Sequence, residues 1–297
     1  MAVNLTFKFH DHCKEKDQVI VDAFSFAASV HKLAEKRLGV HGTGALWFRG
    51  QAKLNWPLLP GIGRDHPRWL DFPLRHHTTT PAEAKQEVKR MKGVEYDLLN
   101  RFRRHAHAFL HREPTPWETI TMAQHYGLPT RLLDWTSSPL TALYFAAEAE
   151  TKDDGAVFAF RPSKYWDSHI NVYRDAHSHH HHERDPLKVN GVRIIYPMMS
   201  SDRLVAQNGG FTIQKPWLPL EKLLPGKRFS SKAVEIVELH KWKLPKDQKQ
   251  NVVSQVLRAG ISHKSLFPDL AGTAMGLLRA ELLREHGGSR TLPASFT

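Results

Sequence analysis

The chain has 297 residues, 41% of them hydrophobic and 24% charged, with 42 Lys plus Arg against 30 Asp plus Glu for a net charge of +12. That length and apolar share suffice for a full hydrophobic core and exclude wholesale disorder. One cysteine, Cys13, excludes an internal disulfide and fits a reducing, cytoplasmic compartment; no apolar run reaches bilayer length, and the first residues lack the apolar core of a signal peptide.

In chain order, Asp17 to Leu38 is expected to be a helix with Ile20, Phe24 and Ala27 on one face and Gly39 as its stop. Ala45 to Arg49 reads as a short buried strand ended by Gly50, and Leu58 to Thr80 as mostly loop. Thr80, Pro81 and Glu83 supply N-cap, first-position proline and capping box for a long helix carrying Met91, Val94, Leu98, Phe102 and Phe109. The signature recurs at Thr115-Pro116-Trp117-Glu118, whose helix Gly127 should end. Ser138-Pro139 starts a third helix with Leu140, Leu143, Tyr144 and Ala147 as its apolar stripe, and Ala156 to Phe160 is a strand.

Residues 161–191 hold His177 and the run His179 to His182. Contiguous histidines lack the spacing of a built metal site, so a flexible surface insertion and no intrinsic metal are expected. Strands follow at Arg193 to Tyr196, Phe211 to Gln214 and Ala233 to Leu239. A short helix capped by Ser200 or Ser201 ends at Gly209-Gly210; later helices run from Asp247 to Ala259 and from Pro268 or Asp269 through Leu270, Leu277, Leu278 and Leu282. The organisation read from this is an N-terminal helical segment (1–40), one domain (41–285) and a loose tail (286–297).

P-loop, GxGxxG, HExxH, CxxC and GxSxG patterns are all absent, and no carboxylate cluster resembles a two-metal nuclease. What remains is polar residues inside apolar segments. Arg49, between Phe48 and Gly50, suits either a phosphate or carboxylate ligand, with Gly50 admitting it to the backbone, or an internal ion pair with Asp134. Gln124, His125 and Tyr126 stand at a helix end, where His125 offers acid–base chemistry and Tyr126 a stacking face, against the plainer role of core hydrogen bonding. Arg131, Asp134, Thr136 and Ser137 form a polar loop that an Arg131–Asp134 pair would brace, and Ser138 is an N-cap. Gln207 precedes the two glycines, which read first as a helix C-cap, and its amide could reach a ligand. The positive charge favours an acidic macromolecule, RNA or DNA included, as partner.

Trp47-Phe48-Arg49-Gly50-Gln51, the block Ala123 to Thr136, and Tyr144-Phe145-Ala146 resemble the FRG-domain family, as do Arg203 with Ala206 to Phe211 and, near the end, Gly260-Ile261 and Leu266 to Leu270. The resemblance implies a bacterial, conflict-related effector, a toxin or phage-defence protein, restrained by an antitoxin or another regulatory protein. It is also similar, more distantly, to the NAD-binding half of ADP-ribosyltransferases. That implies an α+β domain with a mixed, mainly antiparallel sheet and flanking helices. It further implies NAD as cofactor, with Arg49 at the phosphates, Thr136 and Ser137 at the ribose, Tyr144 stacking, and Gln51, Arg131 and Asp134 completing the cofactor-binding set. Arg49, His125, Tyr126 and Gln207 would be the catalytic group. One departure stands: the ribose-orienting glutamate of active transferases has no counterpart, Gln207 standing where it would be sought, and Glu235 or Glu238 could serve only if their strand faces the site. A non-catalytic nucleotide- or partner-binding module and a metal-independent nuclease using His125 are the alternatives.

Overall fold

The computed structural model describes residues 18–35, 46–64, 81–148, 152–162, 170–171, 185–189, 191–196, 202–216, 218–223 and 236–285. Its centre is a seven-stranded sheet. In chain order the strands are β1 (Trp47–Gln51), β2 (Leu132–Thr136), β3 (Gly155–Pro162), β4 (Ile170–Asn171), β5 (Arg193–Tyr196), β6 (Gly209–Ile213) and β7 (Ile236–Leu244). They lie side by side as β4-β5-β6-β2-β1-β3-β7, with β4–β5 parallel and every other neighbour antiparallel. The helices are α1 (Ala23–Glu35), α2 (Pro81–Ala106), α3 (Pro116–His125), α4 (Pro139–Glu148), α5 (Asp202–Ala206), α6 (Leu220–Leu223), α7 (Lys249–Arg258), α8 (His263–Leu266) and α9 (Leu270–Glu285). The mixed, mainly antiparallel sheet with flanking helices is the architecture expected from the sequence.

The pairing is uneven. β1 zips to β3 from Trp47↔Phe160 to Gln51↔Ala156, and β2 to β6 from Leu132↔Ile213 to Thr136↔Gly209. β1 and β2 share one partner pair, Phe48↔Thr136, and the sheet opens beyond it.

Alternation along the strands splits the core by face. Val157 and Ala159 of β3 join Phe48, α1, α4 and α7 in one cluster; Ala156, Phe158 and Phe160 join Leu133, Trp135 and Ile194 in another on the opposite face. A third cluster packs Leu99, Trp117, Ile120 and Ala123 of α2 and α3 on Leu132, Phe211 and Ile213. Helix α4 lies directly on β1. A Cβ at Gly50 would sit 1.8 Å from the Ala142 carbonyl oxygen and 2.7 Å from the Ala146 nitrogen. What comes close to that glycine is therefore a helix rather than a ligand, and Gly50 continues the strand instead of ending it.

Several boundaries differ from the sequence reading for identifiable reasons. Helix α1 is capped by Asp22, whose Oδ1 accepts from Phe24 and Ser25 N–H at 2.8 Å, because the preceding residues pair with β7: Ile20 N–H donates to Lys243 O and Lys243 N–H to Gln18 O. Phe24 is exposed and Phe26 faces the core in its place. Helix α2 stops at Ala106, short of Phe109, which is 86% exposed in a following 3-10 turn. Gly209 and Gly210 open β6; the turn before them is made by Asn208, whose φ of 44° lies in the left-handed region where short polar side chains are tolerated. Leu270, Leu277 and Leu278 on α9 are exposed rather than core. Asp17, Thr80, the His179–His182 run and Glu235 lie outside the described residues, as does the side chain of Glu83.

The α3 capping box forms as expected. Glu118 N–H donates to Thr115 Oγ1 at 3.2 Å, Thr115 N–H donates to Glu118 Oε2 at 2.8 Å, and Arg112 clasps the same carboxylate. The Arg112 guanidinium, with the two hydrogen bonds from Thr115, holds Glu118 down to about 2 from its ordinary 4.5 despite partial desolvation. A folded-state value below the unfolded one stabilises above pH 4.5, and that contribution disappears as pH falls from 4.5 toward 2. Glu118→Gln should flatten this part of the acid limb in a pH series of denaturant melts. An unchanged limb would show that the pair does not contribute.

Candidate functional site

The polar groups gather where β1 and β2 part. Arg49 lies at the opening with its side chain 13% exposed; its Nη1 donates to the Asp134 carbonyl oxygen at 2.7 Å and stands 3.6 Å from Oδ2. Its buried Nε has no hydrogen-bond partner. Burial pushes the guanidinium below its ordinary value, opposed by the Asp134 charge. A cation held out of water with unused donor capacity is costly to leave so.

Asp134 is the carboxylate about which the site is arranged. It accepts from Gln124 Nε2 at 3.1 and 2.9 Å; Gln124 Oε1 in turn accepts from Thr130 Oγ1 at 2.7 Å, and Thr130 Oγ1 caps the Leu132 N–H. The end of α3, whose Gly127 takes φ 84°, is thereby tied to the start of β2. The Asp134 side chain nevertheless remains 57% exposed. Ile62 N–H donates to Thr130 O, which brings the Gly61–Gly63 turn alongside, and Arg64 follows it with Nε on Leu59 O at 2.8 Å. Arg64 reaches solvent, yet desolvation and then the Arg49 charge push it down to about 10 from 12.5, with Asp134 pulling the other way. Arg203 of α5 is lowered by burial and countered by Asp134 and Asp269, and it lies over the Phe267 ring at 4.3 Å. Burial, then the Arg203 charge, keep His125 and His263 below the ordinary imidazole value, with Asp269 opposing in both. Three guanidinium groups thus share the field of one exposed carboxylate, beside two histidines biased toward the neutral form.

The sequence-predicted residues divide accordingly. Arg49, Asp134 and Gln124 converge, and His125 lies in the field of Arg203. Tyr126, 74% exposed, meets His125 edge-on at 4.8 Å and keeps its face open. Thr136 is buried and donates to Gln207 O at 2.6 Å while accepting from Ser138 N–H; the exposed Ser137 donates its N–H to Asn208 O. Gln207 spends its amide on Leu266 O at 3.1 Å, clipping the α8 end to the strand. Gln51 is buried, with Nε2 3.4 Å from Pro57 O. Tyr144 is buried under α9, and its hydroxyl accepts from Arg279 Nη1 at 3.1 Å. The expected Arg131–Asp134 brace is replaced by a buried pair between Arg131 and Glu95 of α2, Nη2 to Oε2 at 2.6 Å. Glu238, on the edge strand β7, is ion-paired to Arg161 of β3.

Arg64 and His263 were not legible as site residues, and Arg203 and Asp269 only through the resemblance. Each sits in a different segment, and the sequence carries no spacing that joins them. Arg64 alone had a local signal, a cation directly after Gly-Ile-Gly. Among the described residues no group of three His, Cys, Asp or Glu could hold a metal, and no helix is long and apolar enough to cross a membrane.

Residues 44–155 match the model of the FRG domain, so the chain carries an FRG domain. The match takes in Arg49, His125 and Asp134, whereas Arg203, Gln207 and Asp269 lie beyond it. No curated protein and no solved structure gives a significant match.

Proposed function

We propose that the FRG domain receives a phosphate-bearing nucleotide at the opening between β1 and β2, NAD being the nucleotide to which the family resemblance points. The observation that carries this is the buried Arg49 guanidinium beside the exposed Asp134 carboxylate, its Nε lacking a partner, with Arg64 and Arg203 within the field of the same carboxylate. A diphosphate satisfies such a set: it supplies the missing acceptor, neutralises mutually repelling cations, and suits the planar fork of arginine. Tyr126 offers an open ring at the margin for a base or nicotinamide.

Calorimetric titration tests the reading. ADP and NAD should bind and adenosine should not; Arg49→Ala should weaken ADP about tenfold to a hundredfold, the worth of a charge-assisted hydrogen bond, and Arg49→Lys should restore only part of it. Equal affinity for adenosine and ADP, or no nucleotide binding, overturns it.

A second reading is ADP-ribosyl transfer to a macromolecule by a toxin or phage-defence effector. Asp134 favours it: an exposed carboxylate among the cations can stabilise positive charge developing on a ribose. Among the described residues no other carboxylate fills the glutamate's place, since Glu238 is committed elsewhere and Gln207 is bonded to Leu266. NAD consumption, with label appearing in added RNA, DNA or protein and lost in Asp134→Asn, separates an enzyme from a receptor. The net charge of +12 makes nucleic acid the first acceptor to try.

A further inference from the structure

Far along α2 from the Asp134 site, the helix ends in a different kind of surface. Its last turn is basic, with Arg103, Arg104 and His105, and it runs into the 3-10 turn His107–Phe109, none of whose residues is buried. Two cations there are spent: Arg103 pairs with Glu113 and Arg112 with Glu118, both at 2.5 Å. Arg101 and Arg104 are exposed and have no ion-pair partner among the described residues, and His105, His107 and His111, all exposed, follow in the same segment. In their midst Phe109 is 86% exposed. An aromatic ring left in water in a short segment rich in basic residues does not fit the apolar centre of a protein interface. It does fit the stacking-plus-phosphate chemistry with which proteins hold unpaired bases.

We infer that the α2 tip is a docking surface for single-stranded nucleic acid, with Phe109 stacking on a base and Arg101 and Arg104 meeting the flanking phosphates. Duplex is disfavoured because its bases already have their faces covered. The two arginines, three positions apart on one helix, project on neighbouring turns and engage adjacent phosphates. The surface is separate from the nucleotide site and does not depend on that reading.

Fluorescence anisotropy on the full chain tests it, with labelled oligo-U and oligo-dT of about 12 nucleotides, enough to cover one such site. The comparison is a duplex of equal length, from about 50 to about 200 mM salt, where phosphate contacts are most visible. Both single strands should bind more tightly than duplex, their relative affinity telling RNA from DNA. Phe109→Ala should weaken single-strand binding about tenfold without changing the salt slope. Arg101→Ala with Arg104→Ala should lower the slope by about 1.4, two phosphates' worth. The Arg→Lys pair should keep the slope, and circular dichroism of each exposed-site variant checks that it folds. Duplex binding equal to single strand, or variants indistinguishable from the parent, overturns the inference. So does displacement by polyglutamate as effective as by unlabelled oligonucleotide, which would indicate an acidic protein partner.

Discussion

Glu95→Gln should cost about 3–5 kcal/mol of folding free energy, the expense of leaving one member of a buried ion pair without the other. Glu95 and Arg131 are 1% and 4% exposed. The Glu95 carboxylate accepts from Arg131 Nε at 2.9 Å, from Nη2 at 2.6 Å and from the Arg131 backbone N–H at 3.2 Å, while Nη1 donates to Leu187 O at 3.0 Å. One side chain thereby joins α2, the entry to β2 and the 185–189 turn. Since Arg131 stays charged and buried in Glu95→Gln, the loss includes its desolvation. Replacing both by leucine should cost less than either single change, because no stranded charge remains. Urea melts of the two singles and the double measure the coupling; singles costing under about 1 kcal/mol, the range of a surface pair, would mean that the pair is solvated.

Gly50→Ala should be comparably damaging, at about 3 kcal/mol, by a steric route. The new methyl would lie 1.8 Å from the Ala142 carbonyl oxygen and 2.7 Å from the Ala146 nitrogen, both backbone atoms that no rotamer change can move. Helix α4 must lift or β1 must shift, and a shift of β1 carries Arg49 away from Asp134. Nucleotide affinity should therefore fall even at temperatures where the variant remains folded. Gly93→Ala is the control. It lies within α2 with nothing within 4 Å of the added carbon, so alanine should stabilise by about 0.5–1 kcal/mol through helix propensity. If Gly50→Ala behaved like Gly93→Ala, the close seat of α4 on β1 would be refuted.

Much of the fold was legible because its signals are local. Thr115-Pro116-Trp117-Glu118 declares a helix start through four adjacent residues, and the apolar run from Ala156 to Phe160 declares a central strand by itself. The misread places are those decided from a distance. Ile20 was assigned to a helix by its spacing, yet β7 claims its backbone; Phe109 fits the α2 period, but the helix stops one turn short of it. The site shows the same limit. Arg49 announced itself as a polar residue in an apolar strand; Asp134, read as part of a polar loop, lies instead in β2, because Leu132 to Thr136 pairs with β6; and Gln207, Thr136 and Tyr144, marked for ligand contact, hold elements together by hydrogen bonds. A hydroxyl or amide that braces a fold looks, in sequence, like one that awaits a ligand.

The strand order also separates the segment that recurs from the unit that can fold. Residues 44–155 contribute β1 and β2, and those two strands meet only at Phe48↔Thr136. The full-length partners of β1 and β2 are β3 and β6, formed by chain that is made later. Excised at those limits, the piece would present two bare strand edges and half a hydrophobic core. An expression boundary drawn from the family match would thus cut through the sheet. Synthesis from the N-terminus must likewise leave β2 without its full-length partner until β6 has emerged, some sixty residues beyond α4, a long-range closure of the kind that slows folding and invites aggregation.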